Sequence, residues 1–296
     1  MGSNGVIRIE PHTQRKYIVL RKYLDVCHKF HCKYKNFVYV DTHGGSGRVL
    51  LKGRNISVEG SPLIAAAYTP DWPCHIVEID PDTYGMLRQA VDGHPNVVTY
   101  LGDCNSIIHQ ILGSVPKWKN FVCCFVDPDG LVYHGSDGYA CDQLKADTVR
   151  AISEFPRSEL LLNFPLEAIT RCAGVYFGDP NGTLGQADGC RVTSFMGSEE
   201  WQGLPLDQRN RRGFLDLYLL EVLGTYPFKG ALLVRSTEKN LPLYYLIYAT
   251  HNQTAAKIMR DVMKKESGYV LPQNLFTLKP RTLDETHPLN RFIFDD

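Results

Sequence analysis

Apolar positions along the chain fall into two repeating patterns. From Gln14 to Phe30, Tyr17, Leu20, Leu24 and the Val26–Cys27 pair recur at helical spacing behind Thr13, which predicts a helix with one apolar stripe. Short β-branched or apolar runs follow, bounded by Gly, Asp or Pro, at Phe37–Val40, His75–Ile79, Val97–Leu101, Phe121–Val126 and Glu159–Phe164. The stretches Ser61–Tyr68, Pro81–Val91, Asn105–Leu112, Asp142–Phe155 and Leu166–Cys172 are long enough for helices. Strand alternating with helix implies parallel pairing through right-handed crossovers, and hence an open α/β sheet with helices on both faces.

The pattern changes after Cys172. Seven glycines between Gly174 and Gly203 and little periodicity predict an irregular excursion or a small inserted subdomain. A helix is expected from Gln208 to Leu223, and Ala231–Arg235 and Leu243–Thr250, joined by Ser236–Pro242, read as an antiparallel hairpin. A helix at Gln253–Lys265 and a Pro-punctuated tail follow.

Composition narrows the class. The chain has 296 residues, 44% of them hydrophobic, which is enough for a packed core and excludes intrinsic disorder. Thirty-two basic and thirty-two acidic residues balance, so no overall field draws the chain to nucleic acid or to an anionic membrane. No apolar run approaches the ~20 residues of a membrane span, and no membrane partner is expected. Met1-Gly-Ser-Asn-Gly has no apolar signal core and the nine cysteines show no framework spacing, so free thiols in a reducing cytoplasm are expected. Basic residues gather locally: seven between Arg15 and Lys35 stand against the single acid Asp25, either as a solvated helix face or as a phosphate-contacting surface.

The candidate chemistry lies at strand ends. Phe37-Val-Tyr-Val-Asp-Thr-His-Gly-Gly-Ser-Gly47 runs from a buried strand through Asp41 into a turn where Gly44, Gly45 and Gly47 let the backbone approach a ligand. The second strand closes on Glu78-Ile79-Asp80, where a carboxylate can accept both hydroxyls of a ribose. The third ends in Gly102-Asp103-Cys104-Asn105, and the fourth in Asp127-Pro128-Asp129-Gly130. A single such acid is usually a helix cap. Four on one sheet edge, Asp41, Glu78, Asp103 and Asp127, point to a crevice for a nucleoside-containing ligand. The glycine spacing and the distance to Glu78 differ from the dinucleotide fingerprint, which disfavours NAD. Cys27-His28-x-x-His31-Cys32 offers metal-ligating side chains, but ligands on one helix do not converge tetrahedrally, so no metal is expected.

This arrangement resembles the class I S-adenosylmethionine-dependent methyltransferases. The resemblance implies that Asp41, Gly44, Gly45 and Gly47 line the methionine and ribose side, Glu78 holds the ribose, and Asp103 and Cys104 meet the adenine. Asp127 and Pro128 would then stand at the transfer site. His12-Thr13-x-x-Lys16, Tyr39-Val40-Asp41 with Gly45-Ser46-Gly47, and Glu59-Gly60-Ser61-Pro62 resemble the three-Cys-motif partner proteins. So do Gly102-Asp103-Cys104-Asn105, Asp127-Pro128-x-Gly130 and Asn163-Phe164-Pro165 with Arg171. His43-Gly44-Gly45 stands where that family often has Phe-Ala-Gly, and Asp129 stands where it often has an aromatic residue.

The resemblance implies a Rossmann-like methyltransferase fold of mostly parallel strands with a C-terminal antiparallel hairpin. It divides the chain into an N-terminal helical segment (1–36), a cofactor-binding core (37–172), an inserted irregular or helical segment (173–229) and a part that completes the sheet (230–296). It also implies S-adenosylmethionine as cofactor, and nucleic acid or a nucleotide as acceptor. Asp127 would contact the acceptor amine, with Asn163 and Arg171 positioning it. The alternative is a nucleoside-binding protein that works with a protein partner in a modification or defence system.

Overall fold

The computed structural model describes residues 8–10, 13–31, 36–52, 56–68, 71–204, 211–236, 239–267 and 290–294. In chain order the elements begin with β1 (Arg8–Ile9), α1 (Gln14–His31), β2 (Phe37–Asp41), β3 (Arg48–Leu51), β4 (Ile56–Glu59), α2 (Ser61–Tyr68), β5 (Cys74–Glu78), α3 (Pro81–Ala90), β6 (Val97–Leu101) and α4 (Cys104–Ser114). They continue with β7 (Phe121–Val126), β8 (Val132–His134), β9 (Ala140–Asp142), α5 (Ala146–Ser153), β10 (Ser158–Phe164), α6 (Leu166–Gly178) and α7 (Thr183–Met196). The last are α8 (Arg211–Glu221), β11 (Phe228–Arg235), β12 (Pro242–Thr250), α9 (Gln253–Glu266) and β13 (Asn290–Phe294).

One eight-stranded sheet organises these elements, in the order β13-β11-β12-β10-β7-β2-β5-β6. The pairs β10–β7, β7–β2, β2–β5 and β5–β6 are parallel, whereas β12 is antiparallel to both β10 and β11. This is the doubly wound order with one antiparallel strand inserted before the far edge, a Rossmann-like architecture with a C-terminal hairpin. Two smaller sheets, β1-β3-β4 and β8-β9, lie outside it.

Alternate residues of the same strands feed two cores. Val38, Val40, Cys124, Val126, Leu160 and Leu162 face one core with α4 to α8, while Tyr39, Cys123, Phe125 and Leu161 face the other with α1, α2, α3 and α9. Burial on both faces explains why these strands read as continuous apolar runs rather than as alternating ones. It also separates Cys123 from Cys124, as adjacent strand positions must.

The glycine-rich stretch 174–203 differs from the expectation. It holds the end of α6, the whole of α7 and a short 3-10 turn at Glu200–Gly203. Some of its glycines serve contact. A Cβ on Gly185 would lie 1.9 Å from the Asp179 carbonyl oxygen, and one on Gly189 would lie 2.6 Å from the Tyr176 ring. The expected helix at 142–155 starts later, at Ala146, because Ala140–Asp142 pairs with Val132–His134. Of the Cys27, His28, His31 and Cys32 set, Cys32 and the His31 side chain lie outside the described residues, and Cys27 is buried in the core.

Candidate functional site

The sheet order turns at β2. From β2 the chain builds outward through β5 and β6, then returns to lay β7 on the other side, so the carboxyl ends of β2 and β7 flank a topological switch point. A cleft of about 460 Å³ opens there, lined from the β2, β5, β6 and β7 ends and by the N-terminal segment. That volume falls in the range of small-molecule sites.

The glycine loop forms its floor. Gly44 N–H donates to the Val77 carbonyl at 2.8 Å, and a Cβ at Gly44 would sit 2.4 Å from Ile76 Cγ2, so only glycine lets the loop press onto β5. Gly47 has φ of 75°, a left-handed conformation that favours glycine. Glu78 fastens the loop from the neighbouring strand end. Its Oε2 accepts from Gly45 N–H at 2.8 Å and its Oε1 from Asp80 N–H at 2.9 Å. Burial raises the Glu78 pKa against those bonds. An ionised carboxylate has about four acceptor directions, so capacity remains for a hydroxyl donor.

The next two acids are helix caps that also line the cleft. Asp103 Oδ1 caps α4 through Asn105 N–H at 2.8 Å. Asp80 Oδ1 caps α3 through Thr83 N–H at 2.8 Å, while its Oδ2 takes the Tyr133 hydroxyl at 2.9 Å. Cys104 also lines the cleft, its thiol donating to the Gln143 carbonyl at 3.2 Å. Asp41 is buried beneath the loop and outside the cleft lining, accepting from Tyr39 hydroxyl at 3.4 Å and His43 N–H at 3.2 Å. Burial pushes its pKa up to about 7, against hydrogen bonds led by the one from Ser61.

At the β7 end, Asp127 is buried with both oxygens engaged. Lys16 Nζ of α1 lies 2.6 Å from Oδ2, and Asn163 Nδ2 donates to Oδ1 at 3.0 Å and to the Pro128 carbonyl at 3.1 Å. Burial opposes the charge of Lys16, but the fields of Asp127, Tyr17 and Asp129 outweigh it and hold the ammonium above its ordinary range. Asn163 Oδ1 is buried without a donor. Arg171 is exposed on α6.

Gln143, unremarked in the sequence, ties this end together. Its carbonyl accepts from the His43 ring at 3.2 Å, its Oε1 from Asp129 N–H at 2.7 Å, and its Nε2 donates to the Val132 carbonyl at 3.3 Å. Burial lowers the His43 pKa, which favours the neutral ring with Nε2–H donating to Gln143 and Nδ1 accepting from Thr42 at 2.7 Å. No local pattern marks Gln143, since it stands in a connection that reads as helix. Asp80 was visible in sequence at the end of the second strand, but its hydrogen bond to Tyr133 was not.

No family model matches the chain, and no curated protein matches it. Solved structures do. Protein LPL1258 from Legionella pneumophila, assigned to family model DUF519, superposes with a TM-score of 0.51 at 12% identity over 85% of this chain and 92% of that one. A spermidine synthase in complex with the transition-state analogue AdoDATO gives 0.41 at 10% identity over 84% of this chain, which spans 62% of the synthase. A putative O-methyltransferase from Klebsiella pneumoniae gives 0.39 at 14% identity over 78% of this chain and 80% of that one. The first likeness is one of fold. Among the described residues, no helix is long and apolar enough to cross a membrane.

Proposed function

We propose that the chain binds S-adenosylmethionine in this cleft and transfers its methyl group to a nitrogen acceptor. The observation that carries the reading is the grip of Glu78 on the Gly45 N–H at the sheet's switch point, which sets a carboxylate with vacant acceptor directions beside a loop free of side chains. The residues present suit the ligand. A Cβ on Gly45 would meet nothing within 4 Å, so the loop is open there. Glu78 would hold the ribose hydroxyls, Gly44, Gly45 and Gly47 the methionine side, and Asp103 with Cys104 the adenine. Asp41 would support the loop from below.

When bound, the sulfonium supplies an electrophilic methyl. The chain's own task is to hold an acceptor close and in line. Asp127 would face the acceptor, Lys16 would pair with that carboxylate, and Asn163 would fix its orientation with Pro128. A nucleobase amine, which the sequence resemblance favours, and an alkylamine both present an N–H to this end. They differ in charge.

Calorimetric titration with S-adenosylhomocysteine tests the reading. Binding in the micromolar range is expected, weakened about tenfold or more in Glu78→Ala, which loses both a ligand contact and the tie to the loop. No binding, or binding indifferent to Glu78→Ala and Asp103→Ala alike, would overturn it. In a tritiated-methyl assay, Asp127→Ala should lose transfer while retaining cofactor binding. A second reading, a binding protein that keeps the pocket without transfer, draws on the engagement of both Asp127 oxygens. It requires cofactor affinity with no methyl transfer to any acceptor.

A further inference from the structure

The electrostatics of the cleft discriminate between acceptors. Among the described residues, carboxylates of Glu10, Glu78, Asp80, Asp103, Asp127 and Asp129 line it, against the ammonium of Lys16, which is bound to Asp127 at 2.6 Å. A polynucleotide would need free cations at the mouth, because phosphate contacts supply most of its affinity. Three cations of α1 and Lys52 beyond β3 are engaged. Lys52 pairs with Glu10 at 2.6 Å, Arg21 with Glu59 at 3.0 Å, Lys29 with Asp25 at 2.6 Å, and Lys22 with Glu266. Among the described basic residues of α1, Lys16, Arg21, Lys22 and Lys29 are thus each paired with a carboxylate.

Hydrogen bonding points the same way. Asn163 is 6% exposed, its Nδ2 is taken by Asp127 and Pro128, and its Oδ1 is a buried acceptor lacking a donor. Asp129 stands exposed on the cleft immediately beyond Pro128. Asp129 thus presents acceptors to the cleft, while the Asn163 amide is buried against Asp127. A protonated amine is a donor without acceptors, whereas a phosphate is the reverse. A carboxylate also gives no face on which a flipped base could stack.

Building on the reading of the cleft as an S-adenosylmethionine site, we propose that the acceptor is the amine of a small cationic molecule, drawn in by Asp127 and Asp129, rather than a base of a polynucleotide. The amine enters as an ammonium and gives one proton to the Asp129 carboxylate, which passes it to water. The freed lone pair forms the new C–N bond to the methyl carbon as the C–S bond breaks with both electrons staying on sulfur. A methylated ammonium and a neutral thioether result.

The probes are 1,4-diaminobutane and a short single-stranded oligodeoxynucleotide, each titrated calorimetrically into the full chain saturated with S-adenosylhomocysteine at low salt. The diamine is expected to bind, about tenfold or more weaker in Asp129→Asn and weaker still in Asp129→Lys, with S-adenosylhomocysteine affinity unchanged in both. The oligonucleotide is expected neither to bind the wild type nor to displace the diamine. Oligonucleotide binding that the diamine does not match, or diamine binding indifferent to Asp129→Lys, would overturn the inference while leaving the cofactor reading intact. Failure of S-adenosylhomocysteine to bind would overturn both.

Discussion

Lys229 lies on β11 with no exposed surface, and its Nζ donates to the Leu219 and Leu223 carbonyls at 3.0 and 2.8 Å, at the C-terminal turn of α8. Burial lowers its pKa to about 8. A neutral amine keeps two N–H groups, which match the two carbonyls. Because the unfolded chain holds this proton until about pH 10.4, it binds more protons than the folded chain between about pH 8 and pH 10, and stability rises with pH across that window. Below pH 8 the burial cost is constant. Urea midpoints should therefore rise from pH 7.5 to 9.5 relative to Lys229→Met, and parallel curves for the two proteins would refute the assignment. Sequence reading reached Asp127, Glu78 and Asp103 because strand ends announce themselves through Gly and Pro. It did not reach the Lys16 pairing with Asp127 or the bonds of Gln143, since both depend on segments distant in the chain meeting in space.

Among the elements, long buried strands were legible and short exposed ones were not. β7 is an uninterrupted apolar run and β10 carries the Leu160–Leu162 run, whereas β1, β3, β4, β8 and β9 have two to four residues, too few for a period of two to register. The α6–α7 pair was misjudged because glycine in a polar stretch reads as a breaker, whereas here it permits contact between backbones. Gly185→Ala should cost about 1–3 kcal/mol, because its Cβ collides with the Asp179 backbone. Gly174→Ala, in α6 with open space around its Cβ, should stabilise by about 0.5–1 kcal/mol. Thermal or urea midpoints shifting in opposite directions for the two variants would support contact as the role of glycine in this pair, and a common stabilisation would refute it.

For the molecule as a whole, the two cores share one sheet. Leu161 and Leu162 are adjacent on β10 and almost fully buried, the first among α1 and α9 and the second among α4 to α8. Each Leu→Ala change should cost about 2–5 kcal/mol, and fluorescence and circular dichroism should still report one coincident transition, since neither face can open without the strands it shares. Two separated transitions in either variant would show that the faces melt independently. Lys16 extends this interdependence to the cleft, because the first helix sends its ammonium through to the end of the fourth parallel strand. A shortened chain beginning at Phe37 would retain every strand of the eight-stranded sheet yet leave Asp127 in the cleft without its cation. Anyone dissecting this protein into fragments should therefore keep α1 with the pocket rather than trim it as a leader.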